Sequence, residues 1–148
     1  MFEHIVAAYI ISHLAAIGFV LAAWRWPRMA RGVAGIGFLL AGGFNMWTAM
    51  RTPEVYVQGF GPHALPPFRD FIYGPFSRHI TAIVAGIVGA QTAIGVLAFA
   101  PPPWRKLSFL GAIIFLVAIT GLGVGSTAPA TLVFAAGMLL LLLERSPR

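Results

Sequence analysis

Four apolar blocks divide the chain. His4 to Trp24, Gly32 to Met50, Ile80 to Ala100 and Leu107 to Leu143 contain no Asp, Glu, Lys or Arg. A run of about 18 or more such residues is long enough to cross a ~30 Å hydrocarbon core as a helix. The pattern therefore predicts an all-α, polytopic transmembrane helical bundle that forms one domain over 1–148. The first three spans fall at about 4–24, 31–50 and 79–100. As one helix the last block would be about 55 Å long at 1.5 Å per residue, nearly twice the core thickness, so it must fold back. The segment from Gly121 to Pro129 supplies the break, with three glycines, Ser126 and Thr127 as candidate caps and a proline at a helix start. Its halves become spans at about 107–123 and 128–144. The count is five, with four as the alternative.

Charge placement weighs the two counts. With five spans and the N-terminus outside, the inner side holds Arg25, Arg28, Arg31, Arg105, Lys106, Arg145 and Arg148. The outer side holds Arg51, Arg69 and Arg78, all in one loop. Four spans would divide the cations evenly. The excess of cytoplasmic Lys and Arg in membrane proteins favours five spans across an inner (plasma) membrane, N-terminus out and C-terminus in. Met1-Phe2-Glu3-His4 lacks the positive n-region of a secretory signal, so the first span is expected to be retained.

The loop 51–78 carries five prolines together with Tyr56, Phe60, Phe68, Phe71, Tyr73 and Phe76. Aromatics and a few arginines suit the headgroup level. Pro66-Pro67 starts a short interfacial helix in which Phe68, Phe71 and Ile72 share a face while Arg69 and Asp70 point away. Ser77 is placed to cap the third span.

Composition narrows the partners. The chain is 59% hydrophobic and 9% charged, against about a quarter charged in a soluble domain. Its net charge of +6 would suggest nucleic acid in a soluble protein. Here the cations edge the apolar blocks, so membrane lipids are the expected partners and nucleic acid is not. There is no cysteine, which removes disulfides, thiol catalysis and iron–sulfur ligation.

In lipid, helices associate through close packing of small residues. The second span carries Ala34, Gly37, Ala41, Asn45 and Thr48 on one face, and the third carries Ala82, Gly86, Gly89 and Ala93. These stripes are expected to meet each other or the first span, with a dimer face as the competing reading.

Polar residues within spans are the default places to look for function. His13 lies near the middle of the first span, beside Ser12 and one turn from Tyr9. Asn45 lies in the second span, Gln91 and Thr92 in the third, and Thr120 in the fourth. His79 stands at the outer entrance of the third. His13 suits a hydrogen bond to Gln91, Asn45 or a backbone carbonyl, a proton relay, a quinone contact or a haem ligand. Haem is disfavoured, since neither His4 nor His79 matches His13 in depth and face as a second axial ligand. All four carboxylates lie outside or at the edges of the spans, so carboxylate-driven antiport is disfavoured too. No metal-ligand cluster, carboxylate pair or Ser–His–Asp arrangement is present, which leaves no metal site and no catalytic residue to name. The glycines of 121–126 suit a turn; no strand or lysine makes them a phosphate loop.

The glycine-rich stretch from Gly35 to Asn45, the following Thr52-Pro53 and the late segment Gly121 to Ser126 resemble the DoxX-like small bacterial membrane proteins. That resemblance implies a compact bundle, usually of four spans, and in a few members a link to quinone-dependent oxidation of sulfur compounds. It assigns no catalytic residue. A five-span bundle of this length is also similar to the tryptophan-rich tetrapyrrole- and sterol-binding sensory proteins. The four tryptophans here all sit near predicted interfaces.

The reading that results is a small accessory or lipophile-binding membrane protein without catalytic activity of its own. Its cavity is expected to open at the outer leaflet beneath loop 51–78, lined by His13, Tyr9, Asn45 and Gln91. The competing readings are a quinone-interacting subunit of a membrane oxidoreductase, with His13 or His79 on a quinone carbonyl, and an oligomeric small transporter.

Overall fold

The computed structural model describes residues 2–144, which are helical without strands. Seven α-helices follow one another: α1 (Phe2–Arg25), α2 (Pro27–Arg51), α3 (Glu54–Phe60), α4 (Pro66–Phe71), α5 (Ile80–Leu97), α6 (Trp104–Thr120) and α7 (Ala130–Leu143). Three of them, over Val6–Arg25, Pro27–Arg51 and Ile80–Leu97, are long and apolar enough to cross a membrane. The 17-residue α6, with Arg105 and Lys106 in its first turn, and the 14-residue α7 are shorter.

Helices α1 and α2 run further than the apolar blocks predict. Only Trp26 separates them, so Arg25, Arg28 and Arg31 lie in helix ends and not in a loop. Arginine is a good helix former, and Pro27 is preorganised for the first helical position. The predicted break at 121–129 is present as a turn with a short 3₁₀ segment, Gly123–Ser126.

The five longer helices form a ring in chain order, α1–α2–α5–α6–α7, which closes where α7 packs on α1. Directions alternate along the chain, so an odd-membered ring leaves one neighbouring pair parallel. That pair is α1 and α7: Gly137 lies against Phe19 and Val20, and Glu144 at the end of α7 pairs with Arg31 near the start of α2. One end of the ring collects Arg25, Arg28, Arg31, Arg105, Lys106 and Glu144. The opposite end carries loop 51–78 and the 121–129 turn. Arg145 and Arg148, counted with the basic end in the charge pattern, lie outside the described residues.

The small-residue stripes pack otherwise than expected. Ala82, Gly86, Gly89 and Ala93 are exposed on the outside of α5, and nothing lies within 4 Å of a Cβ built on Gly86 or Gly89. Helix α5 meets α2 through another face, where Gly35 and Gly95 bring the two backbones together. A Cβ on Gly95 would stand 2.9 Å from the carbonyl oxygen of Gly35 and 2.7 Å from Leu39. On α2, Ala34, Gly37 and Ala41 face an internal space, so their smallness makes room instead of contact. Helical periodicity identifies a stripe but not what stands opposite it.

Loop 51–78 is mostly helical and docked. Besides the expected helix from Pro66, it contains α3 and a wide helical turn over Ile72–Phe76. Ile72 is buried and Phe68 packs on Gly121, whereas Phe71 is exposed, so the expected three-residue face is narrower in fact. The Leu65 backbone N–H donates to the Gly121 carbonyl at 3.0 Å, and Gly125 lies against the Gly59 carbonyl. The late glycines thus admit the loop as well as turning the chain. Ser77 does not cap α5. Its hydroxyl donates back to the carbonyls of Tyr73 and Gly74, both at 2.9 Å, and His79 occupies the cap position without a side-chain bond.

Candidate functional site

A cavity of about 370 Å³ lies inside the ring, and all five longer helices line it. Phe19 comes from α1, Phe38 from α2, Phe115 and Leu116 from α6, and Phe134 and Met138 from α7. Gln91 of α5 is the one polar side chain among the lining residues. The space exists because α2 presents Ala34, Gly37 and Ala41 where its neighbours present aromatic rings. Val33 and Gly37 line the cavity and are themselves exposed, Val33 by 53%, so it is reached from the flank of α2. No residue of 51–78 lines it. The expected opening beneath that loop is therefore not where the cavity lies. The loop instead builds its own apolar core from Tyr56, Ala64, Ile72 and Phe76 with Ala49 and Val84.

Gln91 is only 3% exposed, and it stands at the end of a chain of hydrogen bonds from Tyr56 through Asn45. The Tyr56 hydroxyl donates to the Asn45 backbone carbonyl at 2.9 Å and to Asn45 Oδ1 at 3.0 Å. Asn45 Nδ2 in turn donates to Gln91 Oε1 at 3.0 Å. Tyr56 thus holds the Asn45 carboxamide in place, and Asn45 in turn holds Gln91. Burial pushes the Tyr56 phenol above its ordinary value of 10.0, which keeps it a neutral donor near neutral pH. The chain of bonds ends on Gln91 Nε2. Among the described residues nothing accepts from that nitrogen, and it is not sealed off from open space. Gln91 thus supplies the one carboxamide in the wall of an otherwise apolar chamber.

The structure divides the sequence-predicted residues into three places. Asn45 and Gln91 meet, Gln91 in the cavity wall and Asn45 behind it. Tyr9 and His13 form a separate pair on α1, with ring centroids 4.1 Å apart. His13 Nδ1–H donates to the Tyr9 carbonyl at 2.7 Å, and its buried Nε2 has no partner among the described residues. Neither residue lines the cavity. His79 is exposed at the loop end of the bundle. Among the described residues no group of three His, Cys, Asp or Glu side chains stands together.

Tyr56 is the residue that sequence reasoning passes over. In the sequence it is one of six loop aromatics, and nothing local distinguishes it from Phe60 or Phe76. Its hydroxyl was the only available signal, since a buried phenol oxygen seeks a partner.

Comparison with known proteins yields no significant match to a family model, a curated protein or a solved structure. The site's own chemistry has to carry the functional reading.

Proposed function

We propose that this chain is a small lipophile-binding membrane protein, an accessory or carrier component without catalytic activity of its own. The observation that carries this reading is Gln91, the one polar side chain in the wall of an apolar chamber of about 370 Å³, whose amide nitrogen has no acceptor among the described residues. Chambers of roughly 300–1,000 Å³ with apolar walls and one or two placed polar groups are typical of small-molecule sites. A ligand that fits has a hydrocarbon body and one carbonyl, ester or ether oxygen to accept from Nε2. Access from the flank of α2 suits a ligand dissolved in the hydrocarbon of the bilayer.

Purification in a mild detergent, followed by solvent extraction and mass spectrometry, tests this directly. The wild type is expected to carry a lipophile near one per chain. Gln91→Leu keeps the volume and loses the donor, so retention should fall roughly three- to tenfold, the worth of one hydrogen bond of about 0.5–1.5 kcal/mol. An extract with no lipophile beyond the detergent blank would sink the reading.

The same donor favours a quinone as a second reading, because a quinone carbonyl is the kind of acceptor the chamber lacks. Gln91 would then take the role that the sequence suggests for His13 or His79. The DoxX-like resemblance points the same way. A reduced-minus-oxidised difference spectrum of the extract separates a quinone from a redox-inert lipid.

In the proposed topology all five longer helices cross a bacterial inner membrane, N-terminus out and C-terminus in. Support comes from the alternating ring and, among the described residues, from five cations against one carboxylate at the basic end. A reporter fused at residue 148 should report the cytoplasm. A periplasmic signal would restore the four-span alternative.

A further inference from the structure

We propose that the basic end of the bundle holds a binding pocket for the phosphodiester headgroup of an anionic phospholipid. A second cavity of about 570 Å³ lies there, lined by Trp26, Pro27, Arg28, Met29, Arg31, Arg105 and Glu144. Three guanidinium groups from two separate parts of the fold thus share one concavity with a single carboxylate. That carboxylate is engaged, since Arg31 Nη2 donates to Glu144. Arg28 and Arg105 form no ion pair among the described residues. The pocket therefore presents unused, fork-shaped donors, which match phosphate oxygens in geometry as well as charge.

The backbone adds to this. Helix α2 starts in the pocket with Pro27 at its first position, and the amides of Arg28 and Met29 fall in its first turn, before the earliest intrahelical acceptor, Trp26 O, is taken by Ala30. Amides without an intrahelical acceptor are free to donate to an anion. The rim decides which anion. Trp26 and Met29 are exposed large apolar side chains beside the arginines. A free phosphate has no use for them, whereas a phospholipid can lay its glycerol and first methylenes against them while its phosphate meets the arginines. Basic pockets between transmembrane helices are known places for anionic headgroups. The site is separate from the central cavity and shares no lining residue with it.

The test compares two double variants of equal charge loss. Arg28→Gln with Arg105→Gln removes two pocket residues. Arg25→Gln with Lys106→Gln removes two exposed cations of the same end that do not line the pocket. Full-length protein in dodecyl maltoside micelles is titrated with phosphatidylglycerol, with phosphatidylcholine and with inorganic phosphate. Bound lipid is read by native mass spectrometry, and folding is checked by the melting profile. The wild type should bind phosphatidylglycerol saturably and in preference to phosphatidylcholine, unaffected by millimolar phosphate. At about fivefold per arginine, the pocket double variant should bind roughly 25-fold more weakly. The control should stay within about threefold of wild type. Should the pocket variant not fold, Arg28→Lys with Arg105→Lys keeps the charge and loses the fork, and should bind measurably more weakly than wild type. Equal loss in the two glutamine variants, or unchanged binding in the lysine variant, would replace the pocket with a diffuse basic surface. Displacement of the lipid by inorganic phosphate, or equal binding of phosphatidylcholine, would overturn the headgroup assignment.

Discussion

Gly95→Leu is expected to force α5 away from α2 and to lower the melting temperature of the purified protein sharply. The reason is a backbone and not a side chain. A Cβ at 95 would stand 2.9 Å from the Gly35 carbonyl oxygen, and Leu39 closes the other side at 2.7 Å. A flexible side chain could move away, but a carbonyl oxygen held in the α2 helix can retreat only if the helix does. Overpacking of this kind typically costs about 1–3 kcal/mol, and the upper end is expected where main chain is the obstacle. Gly86→Leu on the same helix is the control. Nothing lies within 4 Å of its Cβ, so the change should stay within about 0.5 kcal/mol. If thermal unfolding ranks the two variants equally, the outward orientation of the Gly86 stripe is wrong, or that stripe is covered by another chain.

The second large effect is expected in ligand retention and not in stability. Ala41→Phe, or Gly37→Phe one turn away, places a ring where α2 leaves space. Both positions line the central cavity, and a Cβ on Gly37 meets nothing within 4 Å. Filling an existing void does not demand that neighbours move, so stability should hold or rise by about 0.5–2 kcal/mol. Retention of a co-purifying lipophile should fall by two orders of magnitude, since a bulky ring and the ligand body cannot share one chamber. Side-by-side extraction of wild type and both variants measures it. A variant that retains its lipophile in full and melts as wild type would place the ligand elsewhere on the protein. This outcome differs in kind from that of Gln91→Leu, which removes a donor while leaving the volume open. The two variants separate shape from polarity.

Much of the helical layout was legible in the chain. The Gly121–Pro129 break and the helix begun by Pro66 follow from local chemistry: run length, glycine and proline. What the stripes face was not legible. Ala34, Gly37 and Ala41 read as a contact surface because small residues permit close approach, yet the same smallness opposite phenylalanine rings leaves a cavity. Ser77 read as a cap, yet its hydroxyl found nearer carbonyls in the preceding turn. His13 stood out because it is titratable and mid-span. It bonds its own helix, while the less conspicuous Gln91 reaches the chamber.

By itself the sequence determined the class, the rough places of the five longer helices and the sorting of cations toward one end. Each of these depends on neighbours within a few residues or on apolar run length. Only the tertiary structure decided that the five longer helices close into a ring, that Tyr56 bonds Asn45 and Asn45 bonds Gln91, and that Arg31 pairs with Glu144. Those partners lie 11, 46 and 113 residues apart in the chain. No local periodicity reaches so far, and in an apolar bundle a polar group takes whichever partner the packing of other residues brings to it.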